Sequence, residues 1–355
     1  MLSHSPTRGL WKTILQKPHS CAFSTTSPIH NTAAAASAAS IASAFLSRFQ
    51  SQGPQIRKQV LDANQLQLLS LTLNRPTLHS YPPAYHLVYF TPAFLETELG
   101  ADGTDMSYNP ESPFTRRMWA GGEVSWPRDA RGELNLLRVG QEVKETTTVL
   151  SSEPKVVRKT GEAMIVVGVE KTFSNEDGVA VVDRRNWVFR EALPTNPPQP
   201  KRESNNLASL SQSSNGRTKP SELVSSTPME GVYKRPYNRS AVTLFRFSAL
   251  TFNPHKIHYS VPWSQDVEGH KNIVVHGPLN LISMLDFWRD LRYEQGGKGY
   301  ADASLIVPQS ITYRATSPLY ADEDYEIVLE KGAEASTVNI YNHSGVVSMK
   351  AEIRG

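Results

Sequence analysis

The segment from His276 to Leu291 constrains this chain more than any other. Its apolar residues stand at Leu279, Leu281, Ile282, Met284, Leu285, Phe287, Trp288 and Leu291, covering most of a helix's circumference rather than one stripe. A helix apolar nearly all round has to be enclosed. Pro278 suits its first turn, and Gly296-Gly297 ends the helical region. The chain that follows offers only strands to enclose it, over 304–307, 310–315, 325–331, 335–342 and 346–354, with Gly, Asn and Asp turns between. The pattern predicts one buried helix wrapped by a curved antiparallel sheet, of α+β class.

Upstream, strand signals over 122–126, 142–151, 156–159, 164–173 and 179–190 predict a second, mostly antiparallel sheet. The apolar run Ala163 to Val169 suits its central strand. Residues 62–75 read as a helix closed by Pro76, and 91–117 as a long loop. Between 195 and 228 the composition collapses into Ser, Asn, Pro, Gln and Lys, too polar to bury enough surface to offset its ordering entropy. That stretch is a flexible linker between a first half, 62–194, and a second, 229–355. The second half opens with 243–248 as a strand leading into a His-rich loop.

Residues 1–61 contain no Asp or Glu, while Arg8, Lys12, Lys17, Arg48, Arg57 and Lys58 are basic and Ser, Thr and Ala abound. This is the composition of a mitochondrial transit peptide with a disordered segment, and it predicts a matrix protein. Without those six, 31 of the 37 basic residues remain against 34 acidic ones, a formal charge of −3, so the basic balance of the whole chain is no argument for nucleic acid. The Ala/Ser run from Ala33 to Ser47 is too weakly apolar to span a bilayer. A single cysteine, Cys21, excludes intrachain disulfides and multi-thiolate zinc sites.

Chemistry concentrates in Phe252-Asn253-Pro254-His255-Lys256-Ile257-His258, with His276-Gly277 directly before the buried helix. Imidazole titrates nearest neutral pH and is the commonest acid–base group. A helix start presents unpaired N–H groups, and a glycine there lets a carbonyl oxygen come close. Base and oxyanion site together suit removal of a proton α to a thioester carbonyl. His255 and His258 with His270 or His276 would also be a conceivable zinc set, but no carboxylate or thiolate stands at a recognised ligand spacing, so no metal is expected.

The stretch 247–259, followed by Val274-Val275-His276-Gly277-Pro278-Leu279, resembles the MaoC-like hydratase/dehydratase superfamily, in its branch with a type-1 fatty-acid-synthase-like N-terminal half. Arg117 to Gly122 and Tyr313-Arg314-Ala315-Thr316-Ser317-Pro318-Leu319-Tyr320 match that branch too, so the resemblance spans about 80–354. It implies a double hot-dog fold whose second half is catalytic while the first accommodates the acyl chain. It also implies reversible loss of water from a 3-hydroxyacyl thioester without a cofactor, the substrate being carried on acyl carrier protein or CoA. The superfamily's catalytic Asp and His stand five residues apart, which puts Asn253 where the Asp belongs and His255 where an Asn belongs. The expected catalytic set is His258, Asn253 and Gly277, and the expected substrate contacts are His255, His276 and Arg314. Hydration of a branched dicarboxylyl-CoA and a non-catalytic acyl-binding role are the rival readings, and a homodimer is left open.

Overall fold

The computed structural model describes residues 29–75, 81–158, 160–193, 231–296 and 305–355. The linker read at 195–228 and the helix stop at Pro76 lie outside them. The first half supplies β1 (Gln55–Val60), β2 (Arg116–Ser125), β3 (Glu142–Val156), β4 (Ala163–Asn175) and β5 (Gly178–Arg190). The second supplies β6 (Val232–Asn238), β7 (Ser310–Ala315), β8 (Asp324–Lys331), β9 (Ala335–Asn342) and β10 (Val347–Arg354). All neighbours pair antiparallel.

Within each half the strands lie in the order first, third, fourth, fifth, second, and the halves meet at their second strands, giving one ten-stranded sheet, β1-β3-β4-β5-β2-β7-β10-β9-β8-β6. This repeated order, with helix inserted between the first and second strand of each half, is a double hot-dog. The seam pairs Gly121 with Arg314 and Gly122 with Tyr313. A Cβ on Gly122 would lie 2.0 Å from the Arg184 carbonyl oxygen and 3.0 Å from the Tyr313 hydroxyl, so only glycine lets the Tyr313 side chain cross the seam.

The helix predicted from all-round apolarity is α4 (Gly277–Glu294), and its residues from Leu279 to Arg289 are all buried. Leu279, Leu281, Ile282, Met284, Leu285 and Phe287 join one core with Ile311, Ile327, Leu329, Val338, Ile340 and Ile353 from the strands around them. Asp290, near its C-terminal end, ties the first half to β6 of the second. Arg75 of the first half reaches Asp290 at 2.6 and 3.1 Å, and Arg235 of β6 reaches the same residue at 2.7 Å.

Three expectations need correction. Residues 243–248 are not a strand: they lie in helix α3 (Ala241–Leu250), which Ser240 caps by accepting from the Thr243 N–H and which buries Leu244, Phe247 and Ser248 at helical spacing. The strand that opens the second half is β6, which begins eleven residues before position 243. Residues 304–307 contribute no strand among those described; Leu305 to Pro308 is irregular.

The third correction concerns residues 1–61, read as leader and disordered segment. Helix α1 (Ile29–Gln52) and β1 belong to the folded body. Ala38, Ala42, Phe45 and Phe49 make one face of α1, buried against Val149, Ile165, Val167, Val169 and Phe189 on the concave side of the first sheet. Burying two phenylalanines there contributes roughly 1.5–3 kcal/mol each. The leader reading retains 1–28, outside the described residues. Helix α2 (Ala63–Thr72), capped by Asp62, matches the predicted 62–75 helix and ties to α3 through Gln65 Nε2, which donates to the Leu250 carbonyl at 2.6 Å. Among the described residues no helix is long and apolar enough to cross a membrane.

Candidate active site

Helix α3 ends in a tight reversal that presents the histidines. Thr251 Oγ1 donates back to the Phe247 carbonyl, Phe252 takes φ +46°, and the Asn253 N–H donates to the Ser248 carbonyl at 2.9 Å. The Asn253 carboxamide oxygen then accepts the His255 N–H at 3.2 Å. Asn253 thus shapes the loop with its oxygen and keeps only its Nδ2 for a ligand. One helical turn follows over 256–258, placing the His258 ring in the interior.

His258 Nδ1 lies 2.8 Å from the Val274 carbonyl, which can only accept, so Nδ1 carries the proton and Nε2 presents a lone pair. Val274 is itself held by its N–H to the Ile257 carbonyl and by bridge pairing to Tyr320. His276 stacks on the His258 ring at 3.6 Å between centroids and 18° between planes. Its Nε2 meets the Ser248 hydroxyl at 2.9 Å. With 1% of its surface exposed, His276 is the platform behind His258, which corrects its reading as a substrate contact.

Gly277 begins α4, whose first-turn N–H groups have no acceptor within the helix. The indole of Trp119, from β2 of the first half, lies directly on it: a Cβ on Gly277 would sit 2.1 Å from Trp119 Cε3. Trp119 in turn packs 4.7 Å from the Tyr313 ring. The seam between the halves therefore forms one wall of the site.

Arg314 is not in that wall. Alternation along β7 turns Tyr313 inward and Arg314 outward, where it is exposed, so its predicted substrate role fails on strand parity. The basic residues at the end of α4 are likewise engaged elsewhere. Arg289 is fully buried beside Asp286, Arg292 reaches the carbonyl of Gly355, and Lys298 lies outside the described residues.

Sequence reasoning missed two carboxylates. The loop Leu99 to Asp105 is closed by a bridge between its ends and docks on the His-rich loop, accepting from the Lys256 N–H through the Asp102 carbonyl at 2.8 Å and from Lys256 Nζ through the Ala101 carbonyl at 2.6 Å. Asp102 Oδ2 comes to 3.8 Å from His255 Nε2, and Glu268 Oε1 to 3.7 Å from the same atom. Neither spacing nor composition connects 102, 255 and 268.

Burial sets the charge states. It pushes His258 down to about 3 from the ordinary 6.5, helped by the neighbouring His255. Burial also holds His276 and His86 below that value. The unfolded chain binds protons on these rings near pH 6.5 while the folded one does not, so their contribution to stability is complete above that pH and is lost as pH falls. Melting temperature should stay level from pH 8 to 7 and drop between 6.5 and 5, ahead of carboxylate titration. A melting temperature unchanged down to pH 5 would mean that the rings take up protons within the fold.

Comparison with known proteins places the chain by family and fold. Residues 84–321 match the family model of hydroxyacyl-thioester dehydratase type 2. A mesaconyl-C(4)-CoA hydratase of Chloroflexus aurantiacus is 28% identical over 282 residues, 78% of this chain and 85% of the relative. A mitochondrial hydroxyacyl-thioester dehydratase type 2 of Schizosaccharomyces pombe is 25% identical over 295 residues, 82% of this chain and 91% of the relative. Among solved structures, a MaoC-like dehydratase from Phytophthora capsici superposes with a TM-score of 0.55 at 13% identity, covering 85% of this chain and 94% of the other.

Proposed function

Since the chain belongs to the hydroxyacyl-thioester dehydratase type 2 family and is a hydro-lyase, we propose that it converts (3R)-3-hydroxyacyl thioesters of an acyl carrier protein to trans-2-enoyl thioesters and water, in mitochondrial type II fatty-acid synthesis. The observation that carries the chemistry is His258, whose Nδ1 is committed to the Val274 carbonyl and whose Nε2 is left as a buried, uncharged base. In this reading Nε2 takes the proton at C2, and the start of α4 at Gly277 holds the thioester oxygen as negative charge builds on it. Asn253 Nδ2 orients the 3-hydroxyl. The matrix location draws support from the acid-free composition of residues 1–28 and from the relative named as mitochondrial.

Hydration of a branched dicarboxylyl thioester is the second reading, and one observation favours it. Beyond Trp119, the buried Tyr313 hydroxyl has no hydrogen-bond partner among the described residues and lies over Gly122, the register partner of Arg185. Arg185, paired with Asp183, would be the cation on hand for a second carboxylate bound beside this hydroxyl. Purified enzyme should produce enoyl absorbance from a 3-hydroxyacyl carrier-protein thioester with the higher kcat/KM. A preference for a mesaconyl-type CoA would transfer the assignment to the second reading, and turnover of neither would sink both.

A further inference from the structure

Resting on the dehydratase reading, we propose that His255, held between Glu268 and Asp102, is the second acid–base group of this site and protonates the departing hydroxyl. Elimination of water needs a proton donor at oxygen as well as a base at C2. The amide of Asn253 cannot exchange a proton as a carboxylate does, so the donor has to come from elsewhere.

Three separate elements converge on the His255 ring. Its Nε2 is buried, without a hydrogen-bond partner among the described residues, 3.7 Å from Glu268 Oε1 and 3.8 Å from Asp102 Oδ2. Both carboxylates are anchored from behind. Glu268 Oε1 accepts from the Trp263 indole at 3.1 Å, and Asp102 Oδ1 accepts from the Thr104 N–H and hydroxyl at 2.9 and 2.8 Å. Each leaves negative charge facing the ring. Although burial raises Glu268, the nearby His255 and the hydrogen bond from Trp263 hold it below the usual carboxylate range, so it stays ionised. Separations just beyond hydrogen-bond length are common before substrate binds and close in the reacting complex.

With Nε2 turned to the carboxylates, Nδ1 is the atom that meets substrate. His255 stands edge-on to His258 and in contact with it, centroids 5.4 Å apart, so acid and base belong to one site and can serve adjacent atoms of one substrate. His258 Nε2 takes the C2 proton and the C–H pair becomes the C2=C3 bond. The C3–O pair leaves on oxygen as the proton from His255 Nδ1 arrives, giving water. The proton left on His258 then returns to His255 through solvent. Glu268 and Asp102 are positioning residues in this scheme. Asp102 does so from the first half of the chain, which makes that half part of the catalytic apparatus as well as a housing for the acyl group.

A change of leaving group tests this. On a 3-hydroxyacyl thioester, His255→Asn should lower kcat by about 10²-fold or more with KM little changed. Glu268→Gln should lower it roughly 10- to 100-fold, the worth of a charge-assisted hydrogen bond. On a 3-chloroacyl thioester, whose chloride leaves without a proton, both variants should eliminate at nearly the wild-type rate, while His258→Ala stays impaired. Glu268→Asp should recover part of the loss on the hydroxy substrate. Equal loss on both leaving groups would show that His255 only shapes the site, and unimpaired water elimination by His255→Asn would also overturn the proposal. Wild-type protein that fails on the hydroxy substrate would instead remove the dehydratase reading.

Discussion

His258→Ala should lower kcat on a 3-hydroxyacyl thioester by about 10²- to 10⁴-fold, the usual worth of an acid–base side chain, with KM within a few-fold of wild type. The expectation rests on how completely the ring is fixed. One nitrogen is tied to a backbone carbonyl at 2.8 Å, one face is stacked on His276, and burial keeps the ring uncharged at every ordinary assay pH. Alanine leaves Gly277, the carboxylates and the wall at Trp119 in place, so binding persists where proton transfer does not. The acid side of the rate profile should therefore not report His258 near 6.5. Measuring kcat and KM together with a thermal melt decides the matter: a kcat within a few-fold of wild type in a folded variant would remove His258 from the mechanism.

Gly277→Ala should be nearly as damaging by another route. A Cβ there would stand 2.1 and 2.7 Å from two carbons of the Trp119 ring, which is backed by Tyr313. Overpacking of this kind costs about 1–3 kcal/mol. Displacing the helix start from the thioester oxygen costs ~10²- to 10³-fold in rate. Both kcat and melting temperature should fall, and adding Trp119→Ala should restore much of the melting temperature, because the two substitutions share one contact. A Gly277→Ala enzyme with normal kcat and melting temperature would show that the indole yields and that this N–H is not used.

What could be read from the sequence is whatever its local pattern encodes. Helix α4 announced itself because nothing but enclosure explains apolar residues on all sides, and β4, β5 and β7 to β10 through runs of branched residues between turns. Helix α3 was misread because Val242, Thr243, Phe245 and Phe247 favour strands, although Ser240 as cap and Leu244, Phe247 and Ser248 at helical spacing carried the opposite signal. Tertiary packing decided between them. Arg314 failed for a subtler reason: its neighbour Tyr313 holds the inward parity, and one residue along a strand reverses the face. His258, His255 and Gly277 were legible as a cluster, but Asp102 and Glu268 were not, because the loop docking that brings them to His255 leaves no trace in sequence spacing.

Helix α1 limits how much of the N-terminus the fold can lose. Truncation through Phe49 would strip Ala38, Ala42, Phe45 and Phe49 from the sheet and lay bare Val149, Ile165, Val167 and Phe189. An uncovered apolar strip of that kind invites aggregation. Any N-terminal processing would thus be bounded by the need to keep this cover on the sheet.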